Sequence, residues 1–304
     1  MTRAKSRRPP GAVRPGALGV DDVGRAGDAA TLAHYADPTY YELAYRARQA
    51  DVDYYVKLAS AVRGPVLEYG AGSGRVTLAL ARSGRRVVAT DLSAPMLERL
   101  RAALADEPPA VRRRVELVRG DMRTLRLERR FPLVIAAFNT VMHLYDRVDF
   151  EAFLARVREH STARGRLVFD VAVPHGEDLA RDPERRYGAP RFRHPTTGEL
   201  VRYAERFEYD PVRQLLLVHL EFTPEGGGAP WSVPLVHRQW FPRELEALLY
   251  YAGFGDIAFT ADFTAAPPDQ TVDSLVVTCR PLPRGRAGIR GARRLRARPR
   301  VSSL

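Results

Sequence analysis

The chain of 304 residues has almost no cysteine, almost no lysine and no long apolar run, and each shortage removes a class of protein. A single cysteine, Cys279, excludes a disulfide framework. Its place in the alternating run TVDSLVVTC assigns it a small, buried, apolar position rather than a redox or metal role, and no metal site is expected. No 18-residue apolar stretch occurs, so no membrane span is expected. The N-terminus, MTRAKSRRPPGAVRPG, is basic but lacks the apolar core of a secretory signal, which leaves the cytoplasm as the expected compartment.

Lysine is confined to Lys5 and Lys57, so arginine carries the net charge of +12. That charge is concentrated at the ends. Residues 1–16 hold five basic and no acidic residues and residues 280–304 hold nine and none, which leaves everything between them at −2. Both ends are rich in Arg, Pro and Gly, a composition that buries too little apolar surface to offset the entropy of ordering. Residues 1–27 and 281–304 therefore read as disordered basic tails flanking a body at 28–280. Because the body itself is not basic, a nucleic-acid partner is not expected.

What the chain does have is a glycine-rich turn at the head of an α/β pattern. Val66 to Gly74 reads VLEYGAGSG, and RVTLALA follows with helix-forming residues, which predicts strand, tight turn and helix. Glycines at such a turn let a ligand approach the backbone, and the unpaired N–H groups opening the helix favour an electron-rich group, so a nucleotide-like cofactor is implied. A dinucleotide fingerprint needs a third glycine where this chain has Arg75, and a phosphate loop needs a Gly-Lys-Ser/Thr that is missing. The spacing is instead E-x-G-x-G-x-G over Glu68, Gly70, Gly72 and Gly74.

Downstream, RRVVATD predicts a second strand ending in Asp91, nineteen residues past Gly72, where a carboxylate is placed to accept both hydroxyls of a ribose. Leu92 follows as either an adenine cover or a core leucine, and Ser93 as the cap of the next helix. VELV at 115–118 is a third strand leading to Gly120-Asp121-Met122-Arg123, where Asp121 and the following N–H either hold an adenine edge or make a plain surface turn. PLVIAAFN at 132–139 is a continuous buried strand that delivers Asn139 and the loop Thr140 to His143 to the C-terminal edge of the sheet, the side on which open α/β sheets bind ligands. A helix at 149–160 and a fifth strand at 165–174 follow, the latter with Asp170 in an apolar run that tolerates a carboxylate only if paired or near the ligand.

Residues 28–60 hold Tyr40, Tyr41, Tyr45, Tyr54 and Tyr55 on one or two predicted helices, which serve as core packing or as a lid. Residues 175–198 are polar and read as loop. Beyond them, 196–241 predicts three antiparallel strands that would cover a substrate or form a homodimer contact, before a helix stopped by Gly253 and two last strands.

Taken together, YELAYRARQADVDY, motif EYGAGSG, Asp91, GDMR and FNTVMHL resemble the class I S-adenosylmethionine (SAM) dependent methyltransferases. More narrowly, they resemble the small-molecule branch containing glycine N-methyltransferase and the nucleotide-sugar N,N-dimethyltransferases. The resemblance implies a Rossmann-like, mostly parallel seven-stranded sheet with helices on both faces, SAM as cofactor, and methyl transfer to an amine or hydroxyl of a small-molecule acceptor. It assigns Tyr41, Glu68, Gly70, Ala71, Gly72, Asp91, Leu92, Asp121, Met122 and Phe138 to the cofactor, and His143, with Asn139 and Tyr45, to the reacting end. His143 would act as base or only orient the acceptor. Tyr69 departs from the pattern, standing where an aliphatic or Cys-type residue is usual. Two other readings compete: an RNA or protein methyltransferase that uses the basic tails, and a SAM-binding module without catalysis.

Overall fold

The apolar runs of the first half assemble one parallel layer. The computed structural model describes residues 8–19, 22 and 28–283. Within it, β1 (Val66–Tyr69), β2 (Val87–Asp91), β3 (Val115–Arg119), β4 (Phe131–Ala136) and β5 (Ser161–Ala172) run in the same direction. The chain then builds a separate antiparallel sheet from β6 (Tyr187–Arg193), β7 (Leu200–Asp210), β8 (Leu215–Pro224) and β9 (Trp231–Arg238). Finally β10 (Phe254–Ala261) and β11 (Ser274–Pro281) return to the first sheet, whose order is β10-β11-β5-β4-β1-β2-β3 with β11 antiparallel to both neighbours. This is the Rossmann-like, mostly parallel seven-stranded architecture that the sequence predicts.

Both faces of the parallel sheet are covered, which is why its strands are apolar throughout rather than alternating. Leu67, Tyr69, Val134 and Ala136 point into one core, packed by α6 (Arg147–His160) and α7 (Pro242–Tyr251); the intervening helices are α1 (Asp28–His34), α2 (Pro38–Tyr45), α3 (Ala50–Ser60), α4 (Arg75–Arg82) and α5 (Ala94–Ala105). Val66, Leu133 and Ile135 point the other way, against Tyr55 of α3, Leu80 of α4 and Leu100 of α5. Cys279 is buried in the first of these cores.

Tyr69 is explained by this packing. Its ring meets Phe153 of α6, and its hydroxyl lies 2.6 Å from His160 Nδ1. The Leu127 N–H donates to the other ring nitrogen of His160 at 2.8 Å, so in the neutral ring Nδ1 carries the proton and donates to the Tyr69 oxygen. An aliphatic residue would strand that buried donor.

Four expectations need correction. Residues 28–60 form three helices, because Asp37 caps α2 by accepting from the Tyr40 N–H at 3.1 Å and Pro38 opens it. The stretch 175–198 is not all loop: Gly176–Leu179 is a helical turn and 187–193 an edge strand. Its inward Tyr187 and Phe192 are separated by a register shift, which hides the alternation. The antiparallel sheet consequently has four strands and begins at residue 187 rather than 196. Residues 8–19, assigned to a disordered tail, extend the same sheet at its far edge: Val13 exchanges backbone hydrogen bonds with Ser232 at 2.8 and 3.0 Å, while Ala12 and Leu18 pack on the sheet. The C-terminal tail beyond Leu282 and Pro283 lies outside the described residues.

Candidate active site

A cleft of about 990 Å³, counting the open solvent at its mouth, follows the C-terminal edge of the parallel sheet from the glycine turn to His143. The glycine turn is held by packing as well as by φ. A Cβ on Gly70 would stand 2.4 Å from Thr140 Oγ1 and one on Gly74 2.1 Å from Leu100 Cδ1, and both have φ values that favour glycine, 67° and 94°. The Gly72 N–H is turned to Asp91 instead, 2.7 Å from Oδ2, while the Ser93 N–H donates to Oδ1 at 2.8 Å.

Asp91 thus has a backbone donor fixed on each oxygen and acceptor capacity left over, which suits a pair of vicinal hydroxyls. Burial raises its pKa, opposed by the N–H donors of Ser93, Gly72 and Leu92. Glu68 lines the same cavity from β1 and accepts from Thr77 Oγ1 at 2.6 Å; burial pushes its pKa up to about 8. Ala71, Leu92, Met122 and Phe138 line it too. So does Asp121, but both its oxygens are engaged by the Arg123 guanidinium and backbone N–H, and Arg123 reaches on to Asp149 at 3.0 Å. That pairing holds the Asp121 carboxyl below its ordinary range despite the opposing effect of burial. An open acid, a glycine cradle and apolar flanks fit a nucleoside cofactor.

The reacting end differs from the sequence expectation. His143 lies on the 3₁₀ turn Thr140–His143 and lines the cavity, with Nε2 2.5 Å from the Tyr35 hydroxyl. Tyr35 follows α1 directly and was missed, since it precedes the run of tyrosines that drew attention. His237 of β9 was missed as well, its ring 5.0 Å from that of His143. Only the three-dimensional crossing of β9 over the turn brings it there. Burial and the neighbouring imidazoles of His237 and His34 drive the His143 pKa well below 6.5. That favours the neutral ring.

Asn139 does not point into the cavity. Its Oδ1 accepts from the Ala172 N–H at 2.8 Å, and its backbone, like that of Phe138, is left-handed with φ of 61° and 57°. Asp170 of β5 fixes that double turn, accepting from Phe138 N at 2.8 Å, Asn139 N at 3.2 Å and the Tyr55 hydroxyl at 2.6 Å. The buried carboxylate flagged in the sequence is therefore a backbone clamp, and Asn139 is part of what it clamps. Tyr45 stands one layer behind the cavity wall. Its ring packs on Phe138 at 4.9 Å and on Tyr41 at 4.8 Å, and it is Tyr41 that lines the cavity. Arg75, which stands where a dinucleotide fingerprint would have glycine, pairs bidentately with buried Asp51 of α3 and lies 5.0 Å over the Phe138 ring, tying the helices ahead of β1 to the cofactor turn.

No helix among the described residues is long and apolar enough to cross a membrane. Residues 66–165 match the family described as a methyltransferase domain. A cypemycin N-terminal methyltransferase from a Streptomyces species is 34% identical over 109 residues, which is 36% of this chain and 42% of that protein. An rRNA methyltransferase from Streptomyces thermotolerans is 48% identical over 56 residues, 18% of this chain and 17% of that protein. The chain thus spans under half the length of these curated relatives. Among solved structures, the CcbJ methyltransferase from Streptomyces caelestis superposes with a TM-score of 0.69 at 26% identity, covering 81% of this chain and 100% of that one. The glycopeptide N-methyltransferase MtfA complexed with SAM gives 0.54 at 26% identity, covering 79% and 90%. The seven-strand order, the glycine cradle and Asp91 agree with these matches: residues 66–165 form a methyltransferase domain similar to those of SAM-dependent methyltransferases.

Proposed function

We propose that the protein transfers a methyl group from SAM to an amine nitrogen of a small-molecule acceptor. The observation that carries this reading is the continuity of one cavity from the glycine turn and Asp91 to Tyr35 and His143, so that a cofactor end and a reacting end share one enclosure. Of the similar proteins, one is named a glycopeptide N-methyltransferase and another a cypemycin N-terminal methyltransferase.

Asp91 takes the ribose hydroxyls, Gly70 to Gly72 and Glu68 border the amino-acid part, and Leu92 with the Asp121–Met122 turn flanks the base. The bound cofactor supplies an electrophilic methyl group on a sulfonium. What the chain contributes is alignment and dryness, since well-oriented reactants gain up to roughly 7–11 kcal/mol from placement alone. The helices α1 to α3 act as the lid, with Tyr41 closing the mouth and Tyr45 backing it against Phe138. His143 orients the acceptor rather than storing its proton: an imidazole whose pKa burial has lowered so far accepts hydrogen bonds but cannot hold a proton given up by an alkylammonium. The acceptor nitrogen therefore sheds its proton to solvent before attack.

The test is methyl transfer, read as S-adenosylhomocysteine release, with matched panels of amines and alcohols. Turnover of amines with a rate that rises through the acceptor's own pKa is expected. Turnover of alcohols alone, or SAM binding with no product from either panel, would overturn it.

A further inference from the structure

The inner face of the antiparallel sheet, which looks towards α2, is lined by aliphatic and aromatic side chains except for His237, paired to Leu216 at the end nearest His143, and one carboxylate in the middle. Tyr203 stands beside Phe222 and Trp231 in one row, and Phe207 beside Val218 and Leu235 in another. Between them lies Leu220, paired to Val233 on one side and to Glu205 on the other, with Tyr187 beyond. Glu205 is thus a half-buried carboxylate set in an aromatic and aliphatic wall.

Such a charge is costly unless balanced. The chain balances its other acids freely, as Arg186 and Arg206 do for Glu221 on the outer face of this sheet. For Glu205 the one hydrogen bond comes from the Tyr203 hydroxyl, 2.7 Å from Oε1, and no cation among the described residues lies within 4 Å. Arg181 lies over the Phe207 and Tyr187 rings at 4.3 and 5.0 Å and Arg185 over Tyr187 at 5.2 Å, but Arg181 is paired with Asp178 and neither forms an ion pair with Glu205. Over Glu205 sits α2. Tyr40 packs on Phe222 and interacts through its hydroxyl with Tyr203, and Tyr45 feels the Glu205 charge while its ring rests on Phe138, a wall of the cofactor cavity. A carboxylate with one oxygen held by Tyr203 and the other without a partner among the described residues, beside tyrosine rings, has the chemistry of a site for an organic ammonium group, which takes one charge partner and a π face.

We infer that Glu205, with Tyr203 and Tyr40 beside it, is the acceptor's ammonium-binding group, so that the acceptor is a cationic amine recognised by charge before its nitrogen is methylated. This rests on the methyltransferase reading above and narrows its substrate class. In the SAM-loaded full-length protein, 2-phenylethylammonium and 2-phenylethanol serve as matched probes by calorimetry or ligand-observed NMR. The ammonium is expected to bind at least about tenfold more tightly than the alcohol, and Glu205→Gln to remove that preference while leaving alcohol binding and SAM affinity unchanged. Equal affinity of the two probes for the unsubstituted protein, failure of both to bind, or an undiminished preference in Glu205→Gln overturns the assignment with SAM binding intact. Loss of SAM binding in the unsubstituted protein would instead sink the methyltransferase reading itself. The comparison of probes on the unsubstituted chain stands even if Glu205→Gln folds poorly, and Glu205→Asp, which keeps the charge, should keep the preference.

Discussion

The two sheets bind by different means. Around the parallel sheet, recognition is built from backbone: the Gly72 and Ser93 N–H groups position Asp91, and the left-handed pair Phe138–Asn139 is held by Asp170. On the antiparallel sheet it is built from side chains, with aromatic rings and one unbalanced carboxylate facing in and an ionic network of Arg206, Glu208, His219 and Glu221 facing out. A backbone site needs glycines and a fixed turn, so it constrains the sequence at set spacings. A side-chain site needs only a surface, which leaves the residues that line it free to vary.

This contrast is tested first by separating the cofactor from the acceptor. Asp91→Ala should weaken SAM binding by roughly a hundredfold or more by calorimetry, because it removes the hydroxyl acceptor and also releases two N–H groups that shape the turn. Glu205→Gln should leave that affinity alone. Similar losses from both substitutions would erase the distinction between the two sheets.

Next in size is the clamp. Two consecutive non-glycine residues with φ near 60° cost about 1–3 kcal/mol each, and they persist because Asp170 over-determines them. In Asp170→Asn the amide NH₂ meets a backbone N–H or the Tyr55 hydroxyl with donor facing donor. We expect a loss of about 1–3 kcal/mol in urea unfolding, together with weaker SAM binding as Phe138 leaves its place. Unaltered stability would show that the turn is held by Arg48 and Arg75 stacked on Phe138 instead, at 4.8 and 5.0 Å.

A smaller effect should come from the junction of the sheets. Tyr35→Phe removes the only hydroxyl that meets His143 Nε2 among the described residues. Turnover should fall about tenfold while SAM affinity changes little, since the lost contact orients the acceptor rather than the cofactor. An equal fall in SAM affinity would place Tyr35 with the cofactor.

How much of this was legible in the sequence follows the same division. Motif EYGAGSG, Asp91 and the succession of parallel strands along the chain could be read directly, because turn geometry leaves glycines and acids at fixed intervals. Asp170 was recognisable as anomalous but not as a clamp, since its partners are the backbone of Phe138 and Asn139 and the hydroxyl of the still more distant Tyr55. Asn139 was misassigned for the complementary reason: a polar residue at the ligand edge looks reactive until its Oδ1 is found on the Ala172 N–H. Tyr35, His237 and Glu205 left no local signal, because each gains its meaning from an element crossing over from the other sheet or the lid. Strand β6 was lost to its polar composition, as edge strands often are.

The last test concerns three histidines that share this junction, one each from α1, the 3₁₀ turn and β9. Burial pushes His34 down to about 3 and His237 to about 4, and His143 lies well below its ordinary value for the same reason. With folded values below the unfolded 6.5, their contribution to stability is intact above pH 6.5 and is lost progressively as the pH falls towards about 4 for His237 and about 3 for His34. Glu68, raised to about 8, has the opposite sign: its contribution is complete below the ordinary carboxyl pKa and lost as the pH rises through about 8. Melting curves mix the two, so the cleaner measurement is the imidazole spectrum. The signals of His34, His143 and His237 should stay those of neutral rings from about pH 8 down to about pH 5.5, and the pH profile of kcat should show no inflection near 6.5. A midpoint near 6.5 for His143 would mean that water reaches the ring and that it can accept the acceptor's proton, turning an orienting residue into a base.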